Sequence, residues 1–291
     1  MADLPRISIV VPNYNGAATL ERTLSSLIEQ RYDALEILVA DGGSTDGSVE
    51  VIRRYEPHLA WWCSEKDRGQ AHAINKGFAK ASGDILNWLC SDDELLPGSL
   101  QRVGEFFAAN PQVDVLSGAC RVVFDHDPAR DHVWVPRQDE LALMPACNPI
   151  AQQATFWRRA LLDRSQPLDE SFHFGLDTEL FNHFRSRGAT WACIDDELAV
   201  FHMRADNKTA TGGDEATREL ERIYRRYAPP GMASLMWWQR RVRWPLERAI
   251  RRGAPGVKRR FLRQCLRAID VPLGWAYGRD RVRVLSWKRW A

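Results

Sequence analysis

Short apolar segments alternate with amphipathic stretches over the first hundred residues of this 291-residue chain. The apolar segments lie at residues 7–11, 35–40, 59–64 and 85–90. Between the first two, five apolar residues recur at helical spacing, as in a helix that lies on a sheet. They are Ala17, Leu20, Leu24, Leu27 and Ile28. Alternating strands and helices predict βαβ units around a mostly parallel sheet.

A polar loop follows each of these predicted strands: PNYNG, DGGSTDGS, EKDRGQ and SDDE. In a parallel sheet the carboxyl ends of the strands meet at one edge, and the ligand crevice lies there. Acidic and glycine-rich segments are also ordinary turn formers, so each loop alone has a simple structural explanation. Four such loops after successive strands nevertheless indicate one binding site at this edge.

Two adjacent carboxylates, Asp92 and Asp93, stand directly behind the apolar segment 85–90. Like charges at this separation repel and raise each other's pKa unless a positive group lies between them. Hard carboxylate oxygens suit Mg²⁺ or Mn²⁺, so the pair predicts a divalent-cation site. The alternative is a cap for a helix after Pro97, although a cap requires one carboxylate rather than two.

Beyond residue 112, the segments VDVLSGACRVVFD and WACIDDELAVFHM predict strands that complete a mixed sheet. Between them, LDTELFNHFRSRG has apolar residues at helical spacing and two acids, Asp177 and Glu179, in its first turn. Acids are favourable at a helix start whatever the function, because the N-terminal end of the helix dipole is positive. A structural explanation for Asp177 therefore stands beside a catalytic one.

The apolar share of 45% is enough for a packed core, and the length allows one large domain or two smaller ones. The first residues lack the pattern of a secretory signal. No apolar stretch reaches the length of about 18 residues needed to span a bilayer. The six cysteines are scattered and form no C-x-x-C pair. These features predict a cytoplasmic globular protein with reduced cysteines.

The formal net charge of +2 conceals two unlike parts, because residues 1–217 carry −13 and residues 218–291 carry +15. In the basic part, arginines flank a possible apolar face. This face consists of Trp237, Trp238, Trp244, Leu246 and Ile250. The pattern indicates either peripheral attachment to the cytoplasmic face of a membrane or a helical layer packed on the acidic body. Nucleic acid is disfavoured as a partner, because the body is acidic and no nucleic-acid-binding module is visible.

Six segments occur in the order typical of one family: ISIVVPNYNGAATLERTLSSL, VADGGSTDGS, SEKDRGQAHAINKGF, GDILNWLCSDD, QQATFWRR and LDESFHFGLDTELF. Over about residues 7–209 the chain resembles the inverting family 2 glycosyltransferases. The resemblance implies a GT-A fold, which is a Rossmann-like, mostly parallel mixed sheet flanked by helices. It implies a GT-A domain at 1–213, with a nucleotide-binding half at about 1–110 and an acceptor half at about 111–213. A basic, tryptophan-rich helical extension follows at 214–291.

In the reaction of that family, an acceptor hydroxyl displaces a nucleoside diphosphate from the anomeric carbon of a sugar in one inverting step. The resemblance assigns the nucleotide-sugar to Pro12, Tyr14, Asn15, Asp41, Asp67, Arg68 and Asp92. Asp41 would accept the imide N–H of uracil or thymine, and Arg68 can pair with phosphate.

The same resemblance implies a metal site and a general base. Asp93 would hold Mg²⁺ or Mn²⁺, with Asp92 as a second ligand or a ribose contact, and the ion neutralises charge on the leaving diphosphate. Asp177 matches the carboxylate that deprotonates the acceptor, and Glu179 is the alternative base.

Three positions depart from the family pattern. Cys90 stands where relatives often have Asp or Asn, and His72 stands where relatives have Asp. Relatives read Arg-x-His where this chain has His202, Met203 and Arg204, so a metal-ligating histidine is displaced by two positions. Residues two apart on a strand face the same side, so His202 is a candidate metal ligand. A packed core histidine is an equal alternative.

Together these features predict a metal-dependent enzyme that transfers a sugar from a UDP- or dTDP-sugar to a lipid-linked glycan during synthesis of a bacterial cell-surface polysaccharide or exopolysaccharide. A sugar nucleotidyltransferase is one alternative, but that class resembles G-x-G-x-R where this chain has PNYNG. A membrane-bound scaffold with a decayed site is another. The retained Asp41, Asp93 and Asp177 count against it.

Overall fold

The computed structural model describes residues 4–144, 148–163, 168–204 and 207–228, together with the single positions 241, 242, 246 and 264. Apart from Arg241 and Leu246, the predicted apolar face and its arginines lie outside these residues. The chain divides into two compact units, residues 1–138 with 150–220 and residues 139–149 with 221–291. Within the described residues, no helix combines the length and apolarity needed to cross a membrane.

The described part of the chain contains nine strands and eight helices. The strands are β1 (Ile7–Asn13), β2 (Leu35–Asp41), β3 (Trp61–Ser64), β4 (Ile85–Trp88), β5 (Glu94–Leu95), β6 (Val115–Phe124), β7 (His132–Trp134), β8 (Thr155–Arg158) and β9 (Trp191–Met203). The helices are α1 (Ala17–Ile28), α2 (Ser48–Tyr55), α3 (Gln70–Phe78), α4 (Ser99–Ala109), α5 (Ala160–Asp163), α6 (Leu176–Ser186), α7 (Lys208–Thr211) and α8 (Gly213–Tyr227). Short 3₁₀ helices lie at Glu56–His58, Pro128–Arg130, Gln138–Leu143 and Gln152–Ala154.

All nine strands belong to one sheet, in the order β3-β2-β1-β4-β8-β6-β9-β5 with β7 beside β6. The pairs β1–β2, β1–β4 and β2–β3 are parallel. β8 is antiparallel to both β4 and β6, whereas β6 and β9 are parallel. The predicted α/β architecture with a mostly parallel mixed sheet is therefore confirmed.

Two of the predicted strands differ from the observed ones at their ends. The strand predicted at 59–64 begins at Trp61, because Glu56–His58 forms a 3₁₀ helix just before it. The strand predicted at 85–90 ends at Trp88. Leu89 N–H still donates to Val10 O, after which the chain turns so that Asp93 N–H donates to Cys90 O.

Both faces of the sheet are covered by apolar packing. On one face, alternate residues of β1 (Ile7, Ile9 and Val11) belong to the core that includes the apolar stripe of α1. On the other face, α3 approaches β1 so closely that a Cβ atom on Gly77 would clash with Val10. An aromatic cluster on α3, β4, β8 and α6 consists of Phe78, Trp88, Trp157, Phe181 and Phe184. The strand ends that carry the site are fixed by this packing.

The register of β1, β2 and β3 places Asn13, Asp41 and Ser64 side by side at the carboxyl edge. Asn13 Nδ2 donates to Asp41 Oδ1 at 2.7 Å, and Ser64 Oγ donates to Asp41 Oδ2 at 2.6 Å. The loop after β2 folds over the same carboxylate. The backbone N–H groups of Gly43 and Ser44 donate to Oδ2, and the Ser44 hydroxyl donates to Oδ1. Hydrogen bonds to Asp41 therefore join the ends of β1 and β3 to the loop after β2.

Burial acts to raise the pKa of Asp41, but hydrogen bonds from Ser44, Ser64 and Asn13 outweigh it, so the pKa lies below its ordinary value of 3.8. A lowered folded-state pKa means that the ionised carboxylate stabilises the fold above the ordinary pKa. That stabilisation is lost as the pH falls through the folded-state pKa.

We expect Asp41→Asn to lower the free energy of unfolding by about 2 to 4 kcal/mol at pH 7, because the substituted amide leaves buried donors unsatisfied. The difference from wild type should shrink at pH values below 3.8. Urea unfolding measured across this range checks both expectations. The exposed Asp33→Asn is the control and should change stability by less than about 0.5 kcal/mol. Equal stability of Asp41→Asn and wild type at pH 7 would contradict the anchoring role.

Candidate active site

The acid turn, residues 90–93, connects β4 to β5 and is held by neighbouring elements on both sides. Thr23 Oγ1 of α1 donates to Asp93 O at 2.8 Å, and Arg22 donates to Asp92 O at 3.1 Å. β5 then pairs with β9, which fixes the far end of the turn. The two adjacent carboxylates therefore have a fixed position just beyond the end of β4.

Asp93 is 1% exposed, and its two carboxylate oxygens have different surroundings. Gln153 Nε2 donates to Oδ2 at 3.0 Å, whereas Oδ1 is buried without a hydrogen-bond partner in the described residues. Burial, followed by the charge of Asp92, raises the pKa of Asp93 well above its usual range. Burial also raises the pKa of Asp92, although Arg204 lies 3.6 Å from Asp92 Oδ2 and acts in the opposite direction.

These residues form a donor set that fits a divalent cation. One atom each of Cys90, Asp92 and Asp93 lies within 4.8 Å of the others. Two carboxylates and the partnerless Asp93 Oδ1 suit Mg²⁺ or Mn²⁺, and Cys90 adds a softer sulfur that these ions favour less. The alternative of a helix cap is wrong, because α4 begins after Gly98 without a side-chain cap hydrogen bond.

Asp177 lies in the first turn of α6, at the place where the sequence predicted the general base. Burial raises its pKa, and hydrogen bonds from Thr178 oppose that rise. Glu179 is also buried, but residues two apart on a helix do not face the same side. Asp177 is the one whose charge acts on both the Cys90 thiol and the Lys208 ammonium.

The Cys90 thiol shows which charges share this region. Burial, followed by Asp93 and Asp92, raises its pKa well above the usual range. Lys208 acts in the opposite direction, and Asp177 adds to the rise. Four charged side chains from three separate parts of the chain thus act on one thiol in the acid turn.

Two residues of this arrangement, Lys208 and Glu219, were not predicted from the sequence. Lys208 Nζ of α7 donates to Gln70 Oε1 at 3.0 Å, and Gln70 Nε2 donates to Cys90 Sγ at 3.2 Å. Glu219 of α8 accepts hydrogen bonds of 2.7 to 2.9 Å from three successive backbone N–H groups, at residues 173–175, just before α6. Neither residue belongs to a local sequence pattern, because its partners come from other elements.

The predicted base-binding residues form a platform around Gly42. A Cβ atom at Gly42 would lie 2.8 Å from Asp67 Oδ2 and 3.2 Å from Tyr14 Cδ2. The Tyr14 ring is 69% exposed. Asp67 Oδ1 accepts from Gly69 N–H at 2.8 Å, whereas Oδ2 has no partner within the part of the chain that the structure describes. A planar base can stack on the ring and donate to this oxygen. Asp41, predicted to be the acceptor, has both oxygens occupied by protein donors.

Three other predicted nucleotide contacts have clear positions. Pro12 is buried in β1. Asn15 has φ of +50° and accepts from Thr45 N–H at 3.0 Å, so its side chain braces the loop after β2. The exposed Arg68 guanidinium donates twice to Glu170 Oε2, at 2.7 and 2.9 Å. Arg68 is therefore engaged by a carboxylate rather than available to phosphate in this structure.

The imidazole ring of His202 lies between two carboxylates other than those of the acid turn. Its Nε2 atom is 2.6 Å from Glu94 Oε1, and its Nδ1 atom is 3.6 Å from Asp125 Oδ1. Arg22 also pairs with Glu94 at 3.0 Å. Because both ring nitrogens face other partners, the geometry favours the packed histidine over the predicted metal ligand. His72, the other departure from the family pattern, accepts from Arg68 N–H at 3.3 Å.

Solved structures with the same fold include glycosyltransferases. A mannosyltransferase from Pyrobaculum calidifontis, in complex with GDP-Man and Mn²⁺, has a TM-score of 0.63 and 20% identity, covering 98% of this chain and 86% of that chain. TarS 1–349 of S. aureus, in complex with UDP-GlcNAc, has a TM-score of 0.60 and 19% identity, covering 75% of this chain and 66% of that chain. The predicted GT-A fold is confirmed by these likenesses.

Sequence comparison gives the family. A family model for glycosyl transferase family 2 matches residues 8–164. An uncharacterized glycosyltransferase of Mycobacterium tuberculosis is 42% identical over 182 residues, which is 62% of this chain and 68% of that protein. One from Nostoc sp. is 36% identical over 114 residues, 38% of this chain, and the match spans about a third, 35%, of the Nostoc protein. The family match covers more than half of the chain, which therefore belongs to glycosyl transferase family 2.

Proposed function

We propose that this protein is a metal-dependent, inverting glycosyltransferase that uses a UDP- or dTDP-sugar. The proposal rests on one observation: the donor atoms of Cys90, Asp92 and Asp93 lie within 4.8 Å of one another just beyond β4 of a GT-A sheet, and the charges of Asp177 and Lys208 act on the same thiol. Two structures of the same fold were solved with sugar nucleotides, one of them with Mn²⁺ as well. They support a sugar-nucleotide donor and a divalent cation.

The nucleotide base would bind at the Gly42 platform. Tyr14 offers an exposed ring for stacking, and Asp67 Oδ2 offers an acceptor beside it. An ionised carboxylate only accepts hydrogen bonds, so it favours uracil or thymine, with their imide N–H, over cytosine. We assign this contact to Asp67, because Asp41 already accepts hydrogen bonds from Asn13, Ser44, Ser64 and the loop backbone.

The donor diphosphate would lie over the acid turn. Asp93 Oδ1 is the free oxygen that would hold the cation, and Asp92 would add a second ligand or a ribose contact. A bound Mg²⁺ or Mn²⁺ supplies Lewis-acid neutralisation of the charge on the departing diphosphate. The contacts of the acid turn with α1 and β5 would hold both carboxylates in place, so that the acid turn need not reorganise during the reaction.

Asp177 would act as the general base. Its pKa is raised by burial, which moves the carboxylate toward the range where a base accepts a proton effectively near neutral pH. Glu219 holds the backbone immediately before α6 and thereby fixes the direction from which Asp177 approaches the acceptor. A base on the far side of the sugar from the leaving group gives inversion in a single displacement.

The acceptor we propose is a lipid-linked glycan in the synthesis of a cell-surface polysaccharide or exopolysaccharide, with the protein peripheral on the cytoplasmic face of a membrane. The support is the charge of +15 on residues 218–291 and the interleaving of arginine with tryptophan there. Family membership counts against the alternative of a sugar nucleotidyltransferase. If the protein were instead a scaffold with a decayed site, it would turn over no sugar donor.

Asp93→Asn should abolish metal-dependent stabilisation while leaving the fold intact. Without metal, its melting temperature should equal or exceed that of wild type, because the substitution removes a buried charge beside Asp92. With Mn²⁺ and UDP, wild type should melt at a higher temperature and the variant should not. Donor turnover should fall roughly 100-fold or more. The exposed Asp33→Asn is the matched control. Mn²⁺ stabilisation retained in Asp93→Asn would remove the metal role.

Asp177→Asn should lower the rate of donor hydrolysis by about 10² to 10⁴ without weakening UDP binding, because a general base acts on the incoming hydroxyl or water. Release of UDP from UDP-sugars and calorimetric UDP affinity measure the two effects separately. Glu179→Gln is the control and should retain turnover, since residues two apart on a helix do not face the same side. If the rates fell in Glu179→Gln instead, the base would be Glu179. Wild type without any turnover would favour the decayed scaffold.

The full-length chain should co-sediment with vesicles containing anionic phosphatidylglycerol, and less so at high salt. Replacing Arg240, Arg241 and Arg243 with Gln should weaken this binding roughly 100-fold, at about 1 kcal/mol for each cation. The control replaces the exposed body residues Arg31, Arg53 and Arg54 in the same way. Equal losses in both variants would contradict attachment through the extension.

A further inference from the structure

The Lys208 ammonium has no carboxylate in contact within the part of the chain that the structure describes. Lys208 is the first residue of α7 and is only partly exposed. The preceding residue, Asn207, holds the start of α7 against the end of β9. Its Nδ2 atom donates to His202 O at 2.7 Å, and its Oδ1 atom accepts from Arg204 N–H at 3.1 Å. The ammonium of Lys208 therefore has a defined place beside the acid turn.

Among the described residues, one hydrogen-bond acceptor and one aromatic ring lie near this ammonium. Nζ donates to Gln70 Oε1 at 3.0 Å and lies 5.7 Å from the centre of the Phe174 ring. No carboxylate of the described residues lies within 4.0 Å of it. Burial lowers the pKa of Lys208, while Cys90, Glu219 and Asp177 act in the opposite direction from greater distances. A desolvated cation of this kind is costly unless an anion binds to it.

The Arg68 guanidinium differs from the Lys208 ammonium in both its exposure and its partner. It is mostly exposed and yet is bound by Glu170 at 2.7 Å. The exposed cation that the resemblance assigned to phosphate thus has a carboxylate partner, whereas the partly buried Lys208 has none among the described residues. Gln70 joins Lys208 to Cys90 in the acid turn, so the open side of the ammonium belongs to the same region as Asp93.

We propose that Lys208 donates hydrogen bonds to the diphosphate of the nucleotide-sugar, opposite the acid turn, and so is a donor-binding residue of the proposed reaction. The inference rests on the proposed function, because it requires a diphosphate donor. A cation at this position stabilises the negative charge that develops on the leaving diphosphate. Gln70 orients the ammonium through its amide oxygen.

A different role for Lys208 would be to balance the charges of Asp177 and Glu219 without touching the donor. In that case its loss would change turnover or stability and leave nucleotide affinity unaltered. Comparing ligands with and without phosphate separates the two roles, because uridine presents the base and ribose alone. Methionine is the appropriate substitution, since it keeps the apolar stem and removes the charge.

The experiment measures calorimetric affinities of full-length wild type and Lys208→Met for UDP and for uridine, each with Mn²⁺ and with EDTA. We expect UDP to bind about 10- to 100-fold more weakly to the variant under both conditions and uridine to bind equally. Lys208→Arg should recover part of the UDP affinity. Lys80→Met, at an exposed position on the chain after α3, should match wild type. Circular dichroism melts verify that each variant is folded.

Unchanged UDP affinity in folded Lys208→Met would overturn the inference, and so would an equal loss for UDP and uridine. Failure of wild type to bind either UDP or dTDP would overturn the proposed donor class together with this inference. Binding of UDP by wild type without turnover of any UDP- or dTDP-sugar would contradict the proposed function. In that case the Lys208→Met comparison would still decide whether Lys208 contacts the diphosphate.

Discussion

The constraint on which the site depends is the position of two adjacent carboxylates just beyond the end of β4, where Asp93 is buried and Asp92 is partly buried. Asp93 is 1% exposed, one of its oxygens has no hydrogen-bond partner in the described residues, and its pKa is raised. An unpaired charge in such a place costs several kcal/mol. Because α1 and β5 hold the turn, the chain cannot relieve that cost by moving the acids apart. A bound cation would relieve this cost, and in the proposed reaction the same cation would neutralise charge on the departing diphosphate.

Asp41 and Asp93 show that burial alone does not determine what a carboxylate does. Both are almost fully buried, and both lie at or just beyond the carboxyl ends of parallel strands. Asp41 receives donors from the flanking strands and its own loop, so it is ionised and structural. Asp93 receives one side-chain donor and lies beside another acid. The number of hydrogen-bond donors around each carboxylate therefore distinguishes Asp41, which stabilises the edge of the sheet, from Asp93, which can accept a ligand.

Much of this arrangement could be predicted from the sequence because it is local. Apolar periodicity gave the order of strands and helices, and the parallel topology brought the polar loops to one edge. The partners of individual side chains could not be predicted, because they are distant in the chain. Arg68 pairs with a residue 102 positions away, and His202 with one 108 positions away. The contact of Lys208 on α7 with Gln70 on α3 likewise joins residues that are distant in the chain.

A crystal structure of the protein with UDP and Mn²⁺, with the metal located by anomalous scattering, would test the cation site most directly. We expect Mn²⁺ about 2.0 to 2.3 Å from an oxygen of Asp93 and from diphosphate oxygens, with Asp177 facing the same cavity. A metal bound elsewhere, or a nucleotide whose diphosphate lies away from the acid turn, would contradict this expectation.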